Sequence, residues 1–391
     1  MGHHRALTSS RQPEGAAPTR ADAAPAKGVS RRAGRTRRVA LIALLALLLA
    51  PAAMLMALPH RGWIDFYQIV TGADALWAGN NPYFWQFHSP PWFGVMLGPL
   101  LPLPYEAITE VWFWLNLAAL LAAVWLWLPI AGIPRRSLEA ATLAAAAVAF
   151  APTVHNLIHG QATLLAALAL ALLASPAGRS PAVAGLALAL LTIKPQTAVL
   201  ALLGIGIRYI LRREWAPLVW AAGIVGGLTA AALALRPPVL REWLWSLGDG
   251  SLVTAGSPAL YHVLKDAGLG PVAPFVAAAV ALAAVALMLR MAWRGRGQAV
   301  GADLVQTGAV ASLLAAPYSH SYDYVVLLLP ALTLIGRRLA PSSAPGVPAP
   351  FFWGGLAVAF LLPLGPFLAL WPPQATLGAA LLTALALWRS R

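Results

Sequence analysis

The residues of this chain best suited to chemistry fall in short polar stretches set among long apolar ones. The first is Trp63-Ile64-Asp65-Phe66-Tyr67. A carboxylate flanked by apolar and aromatic neighbours loses water, which should raise its pKa. That suits a general base taking a proton from a hydroxyl. Asp65 would equally serve as the cap of a helix expected over 66–78. Then come Gly79-Asn80-Asn81-Pro82-Tyr83, a turn signal, and His88-Ser89-Pro90-Pro91-Trp92. His88 could bind a phosphate or a sugar, or be a solvated interfacial histidine. The rings around it, Tyr67 and Tyr83 included, also suit the aromatic belt of a membrane.

Three later stretches interrupt apolar runs. His155-Asn156-Leu157-Ile158-His159-Gly160-Gln161 places two histidines four residues apart, on one face if helical. The spacing suits a metal pair, the lining of a polar site, or structural hydrogen bonding. No Glu of the zinc-protease motif and no obvious third ligand accompanies it. Lys194-Pro195-Gln196 breaks the apolar stretch 181–211. A lysine there is costly unless paired or in a wet cavity. Lys194 would either bind a lipid-linked phosphate through a charge-assisted bond or snorkel to the interface. Pro317-Tyr318-Ser319-His320-Ser321-Tyr322-Asp323-Tyr324 gathers hydrogen-bonding side chains between two apolar runs. A membrane belt would explain its tyrosines but not its His-Asp pair. No nucleophile elbow, P-loop or dinucleotide fingerprint is present. A soluble nucleotide-sugar or ATP site would need a cytoplasmic domain, which the apolar runs leave no room for, so an activated donor for such a site is expected to be carried by lipid.

The elements that position these residues follow from composition. Of 391 residues, 60% are hydrophobic and 10% charged, against about 25% charged in soluble domains. Apolar stretches near the length of a transmembrane helix recur from Val39 onward, so the expected fold is all-α, a polytopic transmembrane bundle. Its twelve spans are placed at 39–58, 107–130, 138–153, 161–175, 181–193, 197–211, 215–235, 271–290, 301–316, 323–339, 350–370 and 374–388. Residues 90–104 are too short and proline-rich to cross and are read as juxtamembrane or re-entrant.

The net charge of +14 is uneven. Residues 1–38, low in apolar periodicity, carry nine Arg or Lys against Glu14 and Asp22 and read as a disordered basic cytoplasmic tail. The excess lies before and between apolar runs, which fits the positive-inside rule rather than nucleic-acid binding. Thirteen further basic residues fall in cytoplasmic segments and five outside. Both termini are then cytoplasmic. Two large extracytoplasmic loops, 59–106 and 236–270, carry short juxtamembrane helices, and the polar stretches share their side. With no cysteine, disulfides and thiolate chemistry are excluded. No metal and no cofactor is expected.

Together these blocks resemble the membrane glycosyltransferases of GT-C fold, specifically glycosyltransferase family 87, the polyprenyl-phosphate-mannose-dependent mannosyltransferases. The resemblance is carried by Asp65-Phe66-Tyr67, Gly79-Asn80-Asn81-Pro82-Tyr83, Ser89-Pro90-Pro91, Gly160-Gln161, the Ala184-Gly185 helix leading to Lys194-Pro195, and Tyr318 to Asp323. Ala162-Thr163 stands where an Asn would be expected near the Gly-Gln turn. The resemblance implies a polyprenyl-phosphate-sugar donor, a glycolipid or glycan acceptor, Asp65 as catalytic base, and Lys194 close to the donor phosphate, where the residue reading adds His88. Tyr67, Tyr83, His155, His159, Gln161, Gln196, Tyr318, His320, Tyr322 and Asp323 would line the site. The alternative is a lipid-sugar flippase, which should show internal repeats and midplane charges; neither is evident.

Overall fold

The computed structural model describes residues 38–49, 64–85, 87–248, 257–339, 377 and 380–383. The basic tail up to residue 37, the end of span 39–58, span 350–370 and most of span 374–388 lie outside them. The described residues are all helical or turn, with no strand. In order they form α1 (Arg38–Leu49), α2 (Ile64–Trp77), α3 (Pro91–Leu97), α4 (Tyr105–Ile130), α5 (Leu138–Ala149), α6 (Ala151–His159), α7 (Thr163–Ala174) and α8 (Pro181–Leu191). They continue with α9 (Val199–Arg212), α10 (Trp215–Leu235), α11 (Val239–Gly248), α12 (Leu260–Leu264), α13 (Ala273–Arg294), α14 (Ala302–Ala315) and α15 (Leu328–Leu339). A 3₁₀ segment, Ser321–Leu327, leads into α15.

Three helices among the described residues, α4, α10 and α13, are long and apolar enough to cross a bilayer; α5 and α6, bent by 53°, make a fourth if counted as one span. This is fewer than the twelve spans expected. Spans 39–58, 350–370 and 374–388 lie partly or wholly outside the described residues; for the others the shortfall lies in length. α7, with 12 residues, rises only about 18 Å, against a hydrocarbon core of about 30 Å. The bent pair also differs from the sequence reading, which ended a span at 153 and began the next at 161. Phe150 is extended (φ −62°, ψ 125°). Pro152, in the first turn of α6, has no N–H to continue α5, so the chain breaks and restarts. His155 and His159 consequently sit on a helix.

α7 is buried on nearly every face and packs against α4, α8, α14 and the 3₁₀ segment. α8 leans on α10, and α9 on α13 and α14. Small residues allow the close approaches: a Cβ on Gly308 of α14 would lie 2.5 Å from Ala201 Cα of α9. α10 and α13 instead expose Trp215, Val219, Trp220, Phe275, Leu282 and Trp293. Large apolar side chains exposed in that number on two helices are not left to water. With helices long enough to cross, it marks a membrane protein.

Candidate active site

α2, the C-terminus of α6, the turn after α8 and the 3₁₀ segment converge on one cavity of about 540 Å³. Asp65 enters from the first turn of α2. Its neighbour Phe66 is fully buried and stacks on Trp112 of α4, ring centroids 5.4 Å apart. Trp112 Nε1 donates to the Gly160 carbonyl at 2.7 Å. Gly160 ends α6 in the left-handed region (φ 64°), and the Gln161 N–H returns to the Asn156 carbonyl. A Cβ at Gly160 would lie 2.5 Å from Phe66 Cβ. The residue before Gln161 and the residue after Asp65 are thus in contact, which brings the two side chains together.

Gln161 Nε2 donates to Asp65 Oδ2 at 2.8 Å. Its Oε1 accepts from Lys194 Nζ at 2.9 Å. Lys194 lies in the turn after α8, before the short 3₁₀ segment Pro195–Thr197. Its ammonium also donates to Thr163 Oγ1 at 3.3 Å, pairs with Asp323 Oδ1 at 2.6 Å and sits 4.2 Å over the Tyr322 ring. Asp323 is fully buried. Thr163 Oγ1 donates to its Oδ1 at 3.2 Å, and the His320 backbone N–H donates to its Oδ2 at 2.9 Å. The late turn is pinned in addition by Ser257, whose Oγ accepts the Ser319 N–H and donates to the Ser319 carbonyl.

The electrostatics reverse one expectation. Burial does raise the pKa of Asp65, but His159 (Nδ1 3.5 Å from Oδ2), the Gln161 N–H and the Lys194 charge together outweigh it and hold the carboxyl down at about 2. Charged and donating neighbours favour the carboxylate more than lost water disfavours it. Asp65 therefore stands ionised. Burial holds the His320 pKa down, opposed by Asp323 and Asp65, and pushes Tyr318 up to about 12.

Of the residues singled out in the sequence, Asp65, His88, Gln161, Lys194, Gln196, Tyr318, His320 and Tyr322 line the cavity. Asp323 stands behind it on Lys194. His159 stands beside Asp65, and the His155 Nδ1 pairs with Ser321 Oγ at 2.6 Å. Tyr67 turns outward, its ring edge-on to Tyr105. Tyr83 donates to the Ser89 carbonyl at 3.3 Å and packs beside Phe87, away from the cavity. Three participants were missed. Gln68 lines the cavity and, three residues after Asp65, shares its helix face, so spacing could have found it. Thr163 bridges Lys194 and Asp323. Trp243 of α11 lines the cavity and meets Trp92 edge-on at 5.1 Å; its sequence context marks no more than an amphipathic helix. Among the described residues no group of three or more His, Asp or Glu is placed to hold a metal ion.

The fold and the site thus define a helical membrane protein with a polar, ion-paired cavity of the size that holds small-molecule substrates, roughly 300–1,000 Å³. Residues 87–317, more than half of the chain, match the sequence model of glycosyltransferase family 87. The chain belongs to that family and is a glycosyltransferase. No curated protein and no solved structure matches it. The matched segment holds Gln161 and Lys194 but begins after Asp65, so Asp65 rests on the geometry.

Proposed function

We propose that this glycosyltransferase moves a hexose, mannose being the sugar the family resemblance favours, from a polyprenyl-phosphate-sugar to a glycolipid or glycan of the cell envelope. The reading places the cavity on the extracytoplasmic side of a GT-C-like bundle of about twelve spans, with both termini cytoplasmic. The observation that carries it is the ionised Asp65 on the wall of a cavity that also presents Lys194. Family membership favours transfer over a flippase role.

In the proposed reaction the acceptor hydroxyl attacks the anomeric carbon from the face opposite the phosphate. The carbon–oxygen bond to phosphate breaks, and polyprenyl phosphate leaves as an anion without needing a proton. The new glycosidic oxygen still carries its hydrogen and becomes strongly acidic as its bond to carbon forms. It passes that proton to Asp65. A carboxylate of depressed pKa is a weak base, but it suffices for an oxygen that has become cationic. One displacement gives inversion. We assign the donor phosphate to Lys194 and His88. The 3.3 Å contact from Lys194 to Thr163 is the longest it makes with a protein oxygen, and a phosphate oxygen would replace it. The scheme calls for no metal ion and no cofactor.

The test is the purified protein in lipid nanodiscs with a synthetic polyprenyl-phosphate-mannose and octyl mannoside as acceptor. Asp65→Asn should lower kcat roughly 10²–10⁴-fold with little change in donor KM, and the product should carry the anomeric configuration opposite to the donor's. A retained configuration, or wild-type turnover by Asp65→Asn, overturns the mechanism.

A further inference from the structure

We infer that Gln161 is a positioning residue for Asp65, its amide oriented in one direction by the buried Lys194–Asp323 pair. The inference rests on Asp65 as base but concerns different residues.

The orientation of the amide follows from chemistry. An ammonium only donates hydrogen bonds, and an ionised carboxylate only accepts them. Gln161 lies between one of each, with Oε1 2.9 Å from Lys194 Nζ and Nε2 2.8 Å from Asp65 Oδ2. The flipped amide would set its NH₂ against an ammonium and its oxygen against a carboxylate. Only one orientation survives, so Gln161 presents an N–H to Asp65 whenever Lys194 is charged and in place.

Lys194 is in place because its protons are matched. Asp323, Gln161 and Thr163 offer three oxygens for three N–H bonds, and the Tyr322 ring covers the ammonium. Its side chain is 11% exposed and that of Asp323 is 0%. Burying either charge alone costs several kcal/mol, so each side chain needs the other in place. Asp323 is in turn fixed by Thr163 and the His320 backbone N–H. The row Asp323, Lys194, Gln161, Asp65 therefore alternates acceptor and donor from a dry interior to the cavity wall.

For a base this arrangement decides where the proton goes. A carboxylate on the first turn of a helix has two free torsions. A bond to Oδ2 removes that freedom and fixes how the carboxylate meets an incoming hydroxyl. Misplacement by about 1 Å can cost on the order of 100-fold in rate. The groups facing Asp65 are His159 from α6, Gln161 after it, Lys194 from the turn after α8, and His320, Tyr322 and Asp323 from the late turn. Tyr322 also hydrogen-bonds Asp65 and lies under the Lys194 ammonium, but Gln161 hydrogen-bonds both Asp65 and Lys194.

The test uses two substitutions in the full chain in nanodiscs. Gln161→Leu removes the N–H. Gln161→Glu keeps the shape and the Lys194 contact but turns an oxygen toward Asp65, and being nearly isosteric it keeps the test open if Gln161→Leu folds poorly. Both should lower kcat on the order of 100-fold while donor KM stays within about twofold. In both, the Asp65 carboxyl should titrate at higher pH, most in Gln161→Glu, where two carboxyls share the site. The readout is the infrared band of the protonated carboxyl, assigned by its loss in Asp65→Asn, which needs no acceptor. Wild-type kcat with an unmoved Asp65 titration in the Gln161 variants overturns the inference while leaving Asp65 as base. Full turnover by Asp65→Asn overturns the base itself, and the titration then still reports whether Gln161 acts on Asp65.

Discussion

The ammonium of Lys194 lies 2.6 Å from the carboxylate of Asp323, which is wholly removed from water. Removing one partner of a buried pair leaves the other charge stranded and costs about 3–5 kcal/mol, whereas replacing both by apolar groups of similar size is close to neutral. Asp323→Leu should therefore unfold at markedly lower temperature in detergent micelles, and Lys194→Met/Asp323→Leu should recover much of the loss. Equal destabilisation by the single and double variants would show that the two charges are not coupled.

The depressed pKa of Asp65 makes a pH prediction with a definite sign. Its folded value, about 2, lies below the ordinary 3.8. A carboxyl of that kind contributes stability that is fully present above the ordinary value and is lost as pH falls through the folded one. Asp65 should thus add the same stability at pH 5 as at pH 7 and lose its contribution between about 4 and 2. Comparing the pH dependence of unfolding in wild type and Asp65→Asn isolates that contribution, and a stability difference between the two that changes between pH 5 and pH 7 would contradict it.

The limits of the sequence show in the same residue. Trp63, Ile64, Phe66 and Tyr67 are what the local sequence places around Asp65, and they predict a raised pKa. The groups that lower it, His159, Gln161 and Lys194, lie about a hundred residues away and arrive only through the packing of Phe66, Trp112 and Gly160. The apolar runs did mark α4, α5, α7 to α10 and α13 to α15 to within a few residues, because a buried helix excludes charge. They did not mark the break at Phe150, which a proline in the first turn of α6 imposes. Nor did they separate Tyr67 from Gln68. At 100° per residue Tyr67 lies on the far side of α2 from Asp65, whereas Gln68 shares its face, and the structure follows that rule. The Lys194–Asp323 pairing had no local signal; each residue was visible alone.

Gly160 offers a test of how α2 is held. Its φ of 64° is strained for any residue with a side chain, and an added Cβ would meet Phe66 at 2.5 Å. Phe66 is fully buried against Trp112, so α2 must shift to make room, taking Asp65 with it. Gly160→Ala should cost roughly 1–3 kcal/mol for the backbone strain. It should lower kcat by a larger factor than Phe66→Leu, which keeps the glycine. Thermal unfolding and turnover measured on the same preparations check both, and a Gly160→Ala protein with unchanged kcat would show that Asp65 does not depend on this contact.

The assignment of the donor phosphate to Lys194 predicts a split between the two substrates. Lys194 and His88 both line the cavity. A hydrogen bond to a charged group contributes about 1.5–3 kcal/mol, so losing one to the phosphate should raise donor KM on the order of tenfold or more. An acceptor that carries no phosphate should not feel that loss in its KM. Lys194→Ala would strand Asp323, so the informative protein is Lys194→Met/Asp323→Leu, compared with Gln161→Leu, which also disturbs Asp65 but keeps the ammonium. The double variant should show raised donor KM and lowered kcat, and Gln161→Leu lowered kcat alone. His88→Gln should raise donor KM as well. If donor KM is the same in the folded double variant and in wild type, Lys194 holds Gln161 and Asp323 in place and the phosphate binds elsewhere in the cavity.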